Sequence, residues 1–161
     1  MCIRDSFPTV DDLTRSMGNV SFYYQGRIIE NIRISNTVDA YAVNGWESMK
    51  LENHSGIVDN YRFPKGDPEV MARYNAPLYL AVKMNRKVVS TGDTTLVDTY
   101  IVNEKNLKGS YILNLVAKDE SGNVVASHKE RVTVKGGNDY GQCLQSGWAF
   151  IPKSKGYTRI E

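Results

Sequence analysis

Hydrophobic residues change their spacing along the chain near Pro77, and the change predicts two kinds of structure. Between Val10 and Ile34 they recur at helical intervals, with acidic residues at the amino end, where the helix dipole favours them. After Pro77 they alternate with polar residues, which is typical of β-strands. We therefore predict a helix-and-strand part over residues 1–76 and a β-rich part over residues 77–161.

The first part is predicted to contain helices around one strand. Gly18 and Gly26 weaken the first helical pattern, so it fits either one helix or two shorter ones. A strand is predicted over Val38–Val43. A second helix should begin at Asp67-Pro68-Glu69, which combines a capping residue, a proline at the first helical position and an early acid. It should end by Ala76, because the residue before a proline disfavours helical backbone angles.

The second part is predicted to be an antiparallel β-sandwich of the immunoglobulin-like type. Its β-rich runs are separated by turn residues at intervals that such sandwiches commonly show. These runs are LYLAV, KVVS, TTLVDTYIV, YILNLVAK, VVASHKERVTV and CLQSGWAFI. Trp148 is expected in the core of this sandwich, and Cys143 is expected to be a small buried apolar residue.

Candidate chemistry is concentrated between Ala40 and Asn60, where the predicted strand delivers Asn44, Trp46 and Glu47 at its carboxyl end. In an α/β barrel, that end of a strand faces the substrate. Trp46 offers a large aromatic face on which sugar C–H groups pack, with Asn44 and Glu47 as polar contacts. The alternatives are that Trp46 packs at the barrel rim and that Glu47 forms a surface salt bridge there.

The residues that follow, Glu52, Asn53, His54 and Ser55, also invite a catalytic interpretation, because histidine transfers protons near neutral pH. No nucleophile lies beside them at useful spacing, so local hydrogen bonds that hold a long loop are the preferred interpretation. A metal site built from Glu52, His54 and Asp59 is an alternative, but nothing fixes its ligand spacing. We therefore expect no metal and no cofactor.

Charge and composition exclude several partner classes. A formal net charge of +2 over 161 residues is too small to indicate nucleic acid or an anionic membrane as the main partner. No apolar run approaches the roughly 20 residues that span a bilayer. The two cysteines form neither metal spacing nor a disulfide framework. Residues 1–6, MCIRDS, resemble a translated sequencing-adapter remnant, and both ends of the sequence are interpreted as cut.

A resemblance to a known family is carried by the runs GRIIENIRISN, AYAVNGWESMKLENHSGIVDNYR, PKGDPE, YNAPLYLAVKMNRKV, TGDTTLVDTYIVNEKNLKG and GYTRIE. Over residues 14–161 the chain resembles bacterial glycoside hydrolase family 2 enzymes of the β-galactosidase and β-mannosidase type. The resemblance implies hydrolysis of terminal β-glycosidic bonds by a retaining mechanism with two glutamates. It also implies that residues 1–76 are the carboxyl-terminal helix–strand portion of a (β/α)8 TIM barrel, followed by the immunoglobulin-like sandwich.

The resemblance places the catalytic glutamates of the family after the fourth and seventh barrel strands, whereas Val38–Val43 would be the eighth. No catalytic residue is therefore expected in this chain. Asn103-Glu104 has the form of an acid/base pair but ends a strand of the sandwich. The implied partners are an oligosaccharide or β-glycoside substrate and the remainder of the parent enzyme. That parent enzyme is expected in the periplasm or outside the cell.

A different class of function fits the same residues: a non-catalytic carbohydrate-binding or cell-surface β-sandwich module. The predicted first part argues against it, because a barrel strand needs cover on both faces from a larger sheet and its helices. The sequence leaves the identity of the sugar open, because galactoside, mannoside and glucuronide are equally compatible with it.

Overall fold

The computed structural model describes residues 6–43, 45–47 and 56–161. Its helices and strands are, in order, α1 Val10–Ser35, α2 Pro68–Tyr74, β1 Leu78–Met84, β2 Thr95–Asn103, β3 Gly109–Asp119, β4 Val124–Val134, β5 Gly141–Phe150 and β6 Thr158–Ile160. The chain divides into two compact units, Met1–Ala76 and Pro77–Glu161. Neither of the described helices is long and apolar enough to cross a membrane.

The first helical pattern forms one continuous helix, α1, rather than two. The side chain of Thr9 caps its amino end by accepting a hydrogen bond from the Asp12 N–H, and Asn36 ends it in the left-handed conformation. The helix is not interrupted at Gly18 and Gly26, because both lie on its buried face where another segment approaches closely. Packing therefore outweighs the low helix propensity of glycine.

Helix α2 confirms the predicted start and end, with Asp67 as its cap and Pro68 in its first turn. It packs on α1 through the Tyr74 ring, which lies against the bare backbone of Gly26. The buried guanidinium of Arg33 donates hydrogen bonds to the carbonyl oxygens of Tyr74, at 2.6 Å, and Ala76, at 2.7 Å. This contact satisfies carbonyl groups that the end of α2 would otherwise leave unpaired.

A buried charge also lies on this face of α1. The Glu30 side chain is fully buried and pairs with Arg27 at 2.7 Å. Burial raises the pKa of the Tyr74 hydroxyl above its ordinary value, and the nearby Glu30 carboxylate raises it further. Such a pair is costly to break, because losing one partner leaves the other charge buried.

The predicted strand over Val38–Val43 is wrong. These residues form an irregular segment, and the Tyr41 hydroxyl donates a hydrogen bond to the Asn75 side chain at 2.7 Å. A strand requires a hydrogen-bonded neighbour, and within residues 6–43, 45–47 and 56–76 no strand is found. The described part of this unit therefore does not show a TIM barrel.

The second unit consists of two antiparallel three-stranded sheets, in the orders β1–β2–β5 and β4–β3–β6. Strands β1 and β2 pair in regular register from Leu78 with Asn103 to Met84 with Val97. The predicted run KVVS is the exception, because residues 87–90 form a loop in which Val88 is 92% exposed. The antiparallel, sandwich-like character predicted for this part of the chain is confirmed.

Side chains from both sheets form the core of this unit. Val97 of β2, Ala117 of β3 and Phe150 of β5 are buried together, with Ile160 of β6 packed against them. Trp148 is half-buried and contacts the core, as predicted, and its indole stacks on the His128 ring with centroids 5.6 Å apart. Apolar contact thus joins the sheets, and the Gln142 side chain of β5 adds a hydrogen bond of 2.7 Å to the Thr133 carbonyl of β4.

Cys143 is exposed, so the prediction that it is buried is wrong. Strand β5 contains register shifts, and they place Cys143 opposite Tyr100 and Gln145 opposite the buried Thr99. A bulge changes which residues of a strand face the core. Desolvation raises the pKa of the Cys143 thiol, and the nearby Asp98 carboxylate adds to the effect.

The turn between β3 and β4 supports a prediction on pH. The Asp119 carboxylate accepts hydrogen bonds from the backbone N–H of Asn123 and Ser121, both at 2.9 Å, and the bond from Asn123 contributes most to lowering its pKa. Its stabilising contribution should be complete above the unfolded pKa of about 3.9 and should be lost as the pH falls through the lower folded pKa. An NMR titration of the carboxyl carbon measures this; a midpoint at or above 3.9 would contradict it.

Candidate functional site

The segment around Trp46 is held by its backbone, while its side chain faces outward. The Trp46 carbonyl accepts hydrogen bonds from the N–H groups of Ile57 and Val58, at 3.0 and 3.1 Å. Val58 forms isolated bridges with Glu47 on one side and Pro64 on the other. Val58 is buried, whereas Trp46 is 63% exposed. These bonds fix the main-chain position of Trp46 and leave its indole ring accessible for contact.

A tight turn follows, organised by Asp59. One of its carboxylate oxygens accepts hydrogen bonds from the N–H groups of Tyr61 and Phe63, at 2.8 and 2.9 Å. The Asp59 backbone also bonds to Arg62 and Phe63, each at 3.0 Å. Arg62 adopts a left-handed conformation, with φ of 67°, which is uncommon for a residue with a side chain. These bonds hold the turn in one shape and direct the Tyr61 and Phe63 side chains outward.

An ion pair links the turn to the Trp46 segment. The Arg62 Nε donates to a Glu47 carboxylate oxygen at 2.8 Å. Both side chains are exposed, so the pair contributes only about 0–1 kcal/mol to stability. The pair places a guanidinium and a carboxylate side by side, and its carboxylate belongs to the residue that follows Trp46 in the chain.

Large aromatic side chains are unusually exposed in this region. Trp46, Tyr61 and Phe63 are 63%, 78% and 68% exposed, although each carries enough apolar surface to stabilise a core. Single exposed apolar residues are ordinary, but several in one short loop region are typical of a binding surface. We refer to Trp46, Glu47, Tyr61, Arg62 and Phe63 as the aromatic loop cluster.

The aromatic loop cluster is fastened to α1 through the segment that follows it. The Lys65 N–H bonds to the Ile57 carbonyl at 3.1 Å, and the Asp67 N–H bonds to the Asn19 side chain at 2.7 Å. Gly18 lies so close to the Lys65 carbonyl that any side chain at Gly18 would overlap with it. Helix α1 thus holds the segment that follows the aromatic loop cluster in place, as rigid elements commonly do for binding loops.

The residues predicted from sequence have different outcomes. Glu47 forms a salt bridge, the alternative considered for it, and its partner is Arg62, whereas Trp46 is exposed and Asn44 lies outside the described residues. The loop residues 52–55, including His54, also lie outside them. Asp59, considered as a metal ligand, instead organises its own turn. Within the described residues no group of acidic, histidine or cysteine side chains could hold a metal ion.

Sequence reasoning missed Tyr61, Arg62 and Phe63. The sequence does contain a signal for this turn. Asp59 precedes Tyr61 by two residues and Phe63 by four, and an aspartate side chain at that spacing is able to accept hydrogen bonds from both backbone N–H groups. The two aromatics follow neither helical nor strand spacing, which indicates a loop rather than a core position. Their exposure, however, depends on how the turn is tied to Glu47, and that contact joins residues distant in sequence.

Two other features do not form a comparable site. Glu104 lies in the turn after β2, where its N–H bonds to the Pro77 carbonyl at 2.9 Å, so the structure places it in the β-sandwich unit as expected. An open depression runs along the first half of α1 and is bordered by Arg15, Asn19 and Tyr24. All of its lining residues lie on α1, so it is the exposed surface of one helix.

No protein-family model, no curated protein and no solved structure matches the chain.

Proposed function

We propose that the chain belongs to a glycosidase resembling glycoside hydrolase family 2 and supplies part of its sugar-binding wall. In this proposal the catalytic glutamates lie outside the 161 residues, and the immunoglobulin-like sandwich follows the catalytic domain. The observation that carries the proposal is the exposed ring of Trp46, whose backbone is held by hydrogen bonds and whose next residue, Glu47, pairs with Arg62.

The chemistry of this arrangement suits a sugar. The axial C–H groups of a pyranose form an apolar face that packs on an indole ring, while its hydroxyl groups need hydrogen-bond partners at the ring edge. A carboxylate accepts and a guanidinium donates such bonds, so Glu47 and Arg62 together match neighbouring hydroxyls. Tyr61 and Phe63 would extend the apolar surface for a second sugar ring. Ligand sites commonly combine aromatic lining with a few fixed polar groups in this way.

Binding is tested on the chain itself by NMR. Methyl β-galactoside, methyl β-mannoside and methyl β-glucuronide are titrated while the indole N–H signals of Trp46 and Trp148 are followed. At least one sugar should shift the Trp46 signal, and Trp148, which packs on the sandwich core, serves as an internal control. The same sample should not hydrolyse an aryl β-glycoside. Hydrolysis by the chain would contradict the placement of the catalytic glutamates.

Catalysis is tested in the parent enzyme. Trp46→Ala should lower kcat/KM for an aryl β-glycoside by about 10- to 100-fold, or about 1.4–2.7 kcal/mol of transition-state stabilisation. The fold should be unchanged, because the ring is largely exposed. Val88→Ala, which truncates a 92% exposed side chain in the other unit, is the matched control and should leave kcat/KM unchanged.

The outcomes separate the two classes of function. Unchanged kinetics in Trp46→Ala would assign the ring to packing and reject its role in the substrate wall. Sugar binding at Trp46 in a parent protein that hydrolyses no glycoside would favour the carbohydrate-binding module instead.

A further inference from the structure

The outer faces of the two sheets in the second unit differ in charge. Leu113 and Leu115 of β3 and Val132 of β4 are buried, so the residues that alternate with them along these strands face outward. The outer face of the sheet β4–β3–β6 carries four cationic side chains and one carboxylate: Lys118, Lys129, Arg131, Arg159 and Glu161. On the outer face of the sheet β1–β2–β5, Lys83 lies opposite Asp98, and these charges balance. The positive charge is therefore a property of one face.

The carboxylate on the positive face neutralises only its β6 side. Glu161 pairs with Lys118 at 2.6 Å and also with Arg159. Among the described residues no carboxylate forms an ion pair with Lys129 or Arg131, and both side chains are exposed. The uncompensated part of the face thus lies on β3 and β4.

Lys129 and Arg131 project from the same side of β4. They are two positions apart, which places their Cα atoms about 7 Å from each other. Glu130, between them, faces the other side of the strand, where its carboxylate contacts the His128 ring at 3.3 Å. Two neighbouring cations without an acid between them form a site that attracts an anion carrying more than one charge.

Neutral polar side chains surround the two cations. Those on the outward side of β3 and β4 are Ser110, Asn114, Ser127 and Thr133. Asn114 lies opposite Lys129, and Ile112 lies opposite Arg131, so each pair has neighbouring side chains. Ser110, Tyr111, Ile112 and Arg131 border a depression of about 220 Å³. The face therefore combines positive charge, hydrogen-bonding groups and one shallow recess.

We propose that this face of β3 and β4 binds an acidic polysaccharide, a sugar chain that carries carboxylate groups at intervals. One carboxylate meets the Arg131 guanidinium, whose planar fork matches a carboxylate in two-bond geometry, and another meets Lys129. Hydroxyl groups of the chain bond to Asn114 and to the serine and threonine side chains beside it. One sugar ring lies in the depression over Ile112. The proposal is independent of the glycosidase assignment and of Trp46.

Other anionic occupants match this face less well. A single-stranded nucleic acid would need aromatic side chains for base stacking, and the outward residues of β3 and β4 include none. Anionic membranes are commonly bound by clusters of about four to eight Lys and Arg residues, whereas only Lys129 and Arg131 are uncompensated here. An acidic peptide supplies carboxylates but few hydroxyl groups for Asn114 and its neighbours. Charge and hydrogen-bonding complementarity therefore favour the acidic sugar chain.

The test titrates the full chain with an oligomer of galacturonic acid and follows the backbone amide signals by NMR. The amides of Asn114, Lys129 and Arg131 should shift, and those of β1 should not. The fully methyl-esterified oligomer has the same sugar rings without their charge, and its Kd should be about tenfold higher or more. A glutamate oligomer of equal charge should also bind more weakly. Added salt should weaken binding of the acidic oligomer, because the groups on both sides are exposed.

The double variant Lys129→Gln/Arg131→Gln should raise the Kd for the acidic oligomer by about tenfold. Its control, Lys87→Gln/Lys105→Gln, removes the same charge from exposed loop positions and should keep the Kd within about twofold. If the double variant fails to fold, Arg131→Lys provides the measurement. It keeps the charge but loses the planar fork, so the Kd should rise by about threefold.

Three results would overturn the proposal. The first is that the saturating acidic oligomer shifts none of the Asn114, Lys129 and Arg131 amides. The second is that the methyl ester binds as tightly as the acid, which would mean that the cations take no part. The third is that the glutamate oligomer binds as tightly and shifts the same amides, which would make the face a general anion-binding surface without preference for sugars.

Discussion

Replacing Gly18 by alanine should destabilise the first unit by about 2–3 kcal/mol, although the same change in an exposed helix would stabilise it by about 1 kcal/mol. The new methyl group would overlap with the Lys65 carbonyl, which belongs to the backbone and has little freedom to move. The Lys65 N–H is bonded to Ile57, and the Asp67 N–H is bonded to Asn19 beside Gly18. Helix α1 and the loop must therefore separate for the methyl group to fit.

Urea unfolding followed by residue-resolved NMR measures the effect on each unit separately. Thr14→Ala, an exposed position on the same helix, is the control and should stay within about 0.5 kcal/mol of the original. Gly18→Ala should also shift the Trp46 indole signal, because the displaced segment supports the aromatic loop cluster. An increase in stability would show that the loop yields readily and that close packing at Gly18 is not required.

Replacing Phe150 by alanine should destabilise the second unit by about 3–5 kcal/mol. Phe150 is 5% exposed, lies in the core cluster with Val97 and Ala117, and contacts the Trp148 ring at a centroid distance of 6.0 Å. Truncation leaves a cavity between the two sheets, because the closely packed side chains around Phe150 relax only partly into the space. A loss of this size is a large fraction of the roughly 5–15 kcal/mol that stabilises a typical domain.

The control is Tyr157→Ala, which removes a side chain that is 85% exposed in the same unit. Its free energy of unfolding should stay within about 0.5 kcal/mol of the original. Exchange of the β2 amides reports on the core in both variants. Equal losses in Phe150→Ala and Tyr157→Ala would mean that the two sheets do not depend on this cluster.

The candidate site was only partly predictable from sequence. The aromatic ring of Trp46 and the carboxylate of Glu47 are identifiable as candidate sugar contacts from their residue types and their position after a β-like run. Arg62 is not, because its role depends on an ion pair across fifteen positions of the chain that the turn at Asp59 creates. Tyr61 and Phe63 are visible as aromatics, but only the turn determines that both face outward.

Local rules by themselves determined much of the fold. The cap at Asp67 with Pro68 fixes where α2 begins, because both act within one turn of the helix. Period-two alternation locates β2, β3 and β4, because side chains on successive residues of a strand face opposite sides whatever the partner is. Helical spacing located α1, although it could not show that the helix continues through both glycines.

Tertiary structure decided the rest, because the remaining questions depend on partners far away in sequence. Val38–Val43 has strand-like residues but no neighbour to bond with in the described structure, so its β propensity has no effect. Cys143 is turned outward by register shifts between β2 and β5 that alternation within β5 does not reveal. Glycine weakens a helix in isolation. At Gly18 and Gly26 it is nevertheless the residue that fits, because the Lys65 carbonyl and the Tyr74 ring leave no room for a side chain.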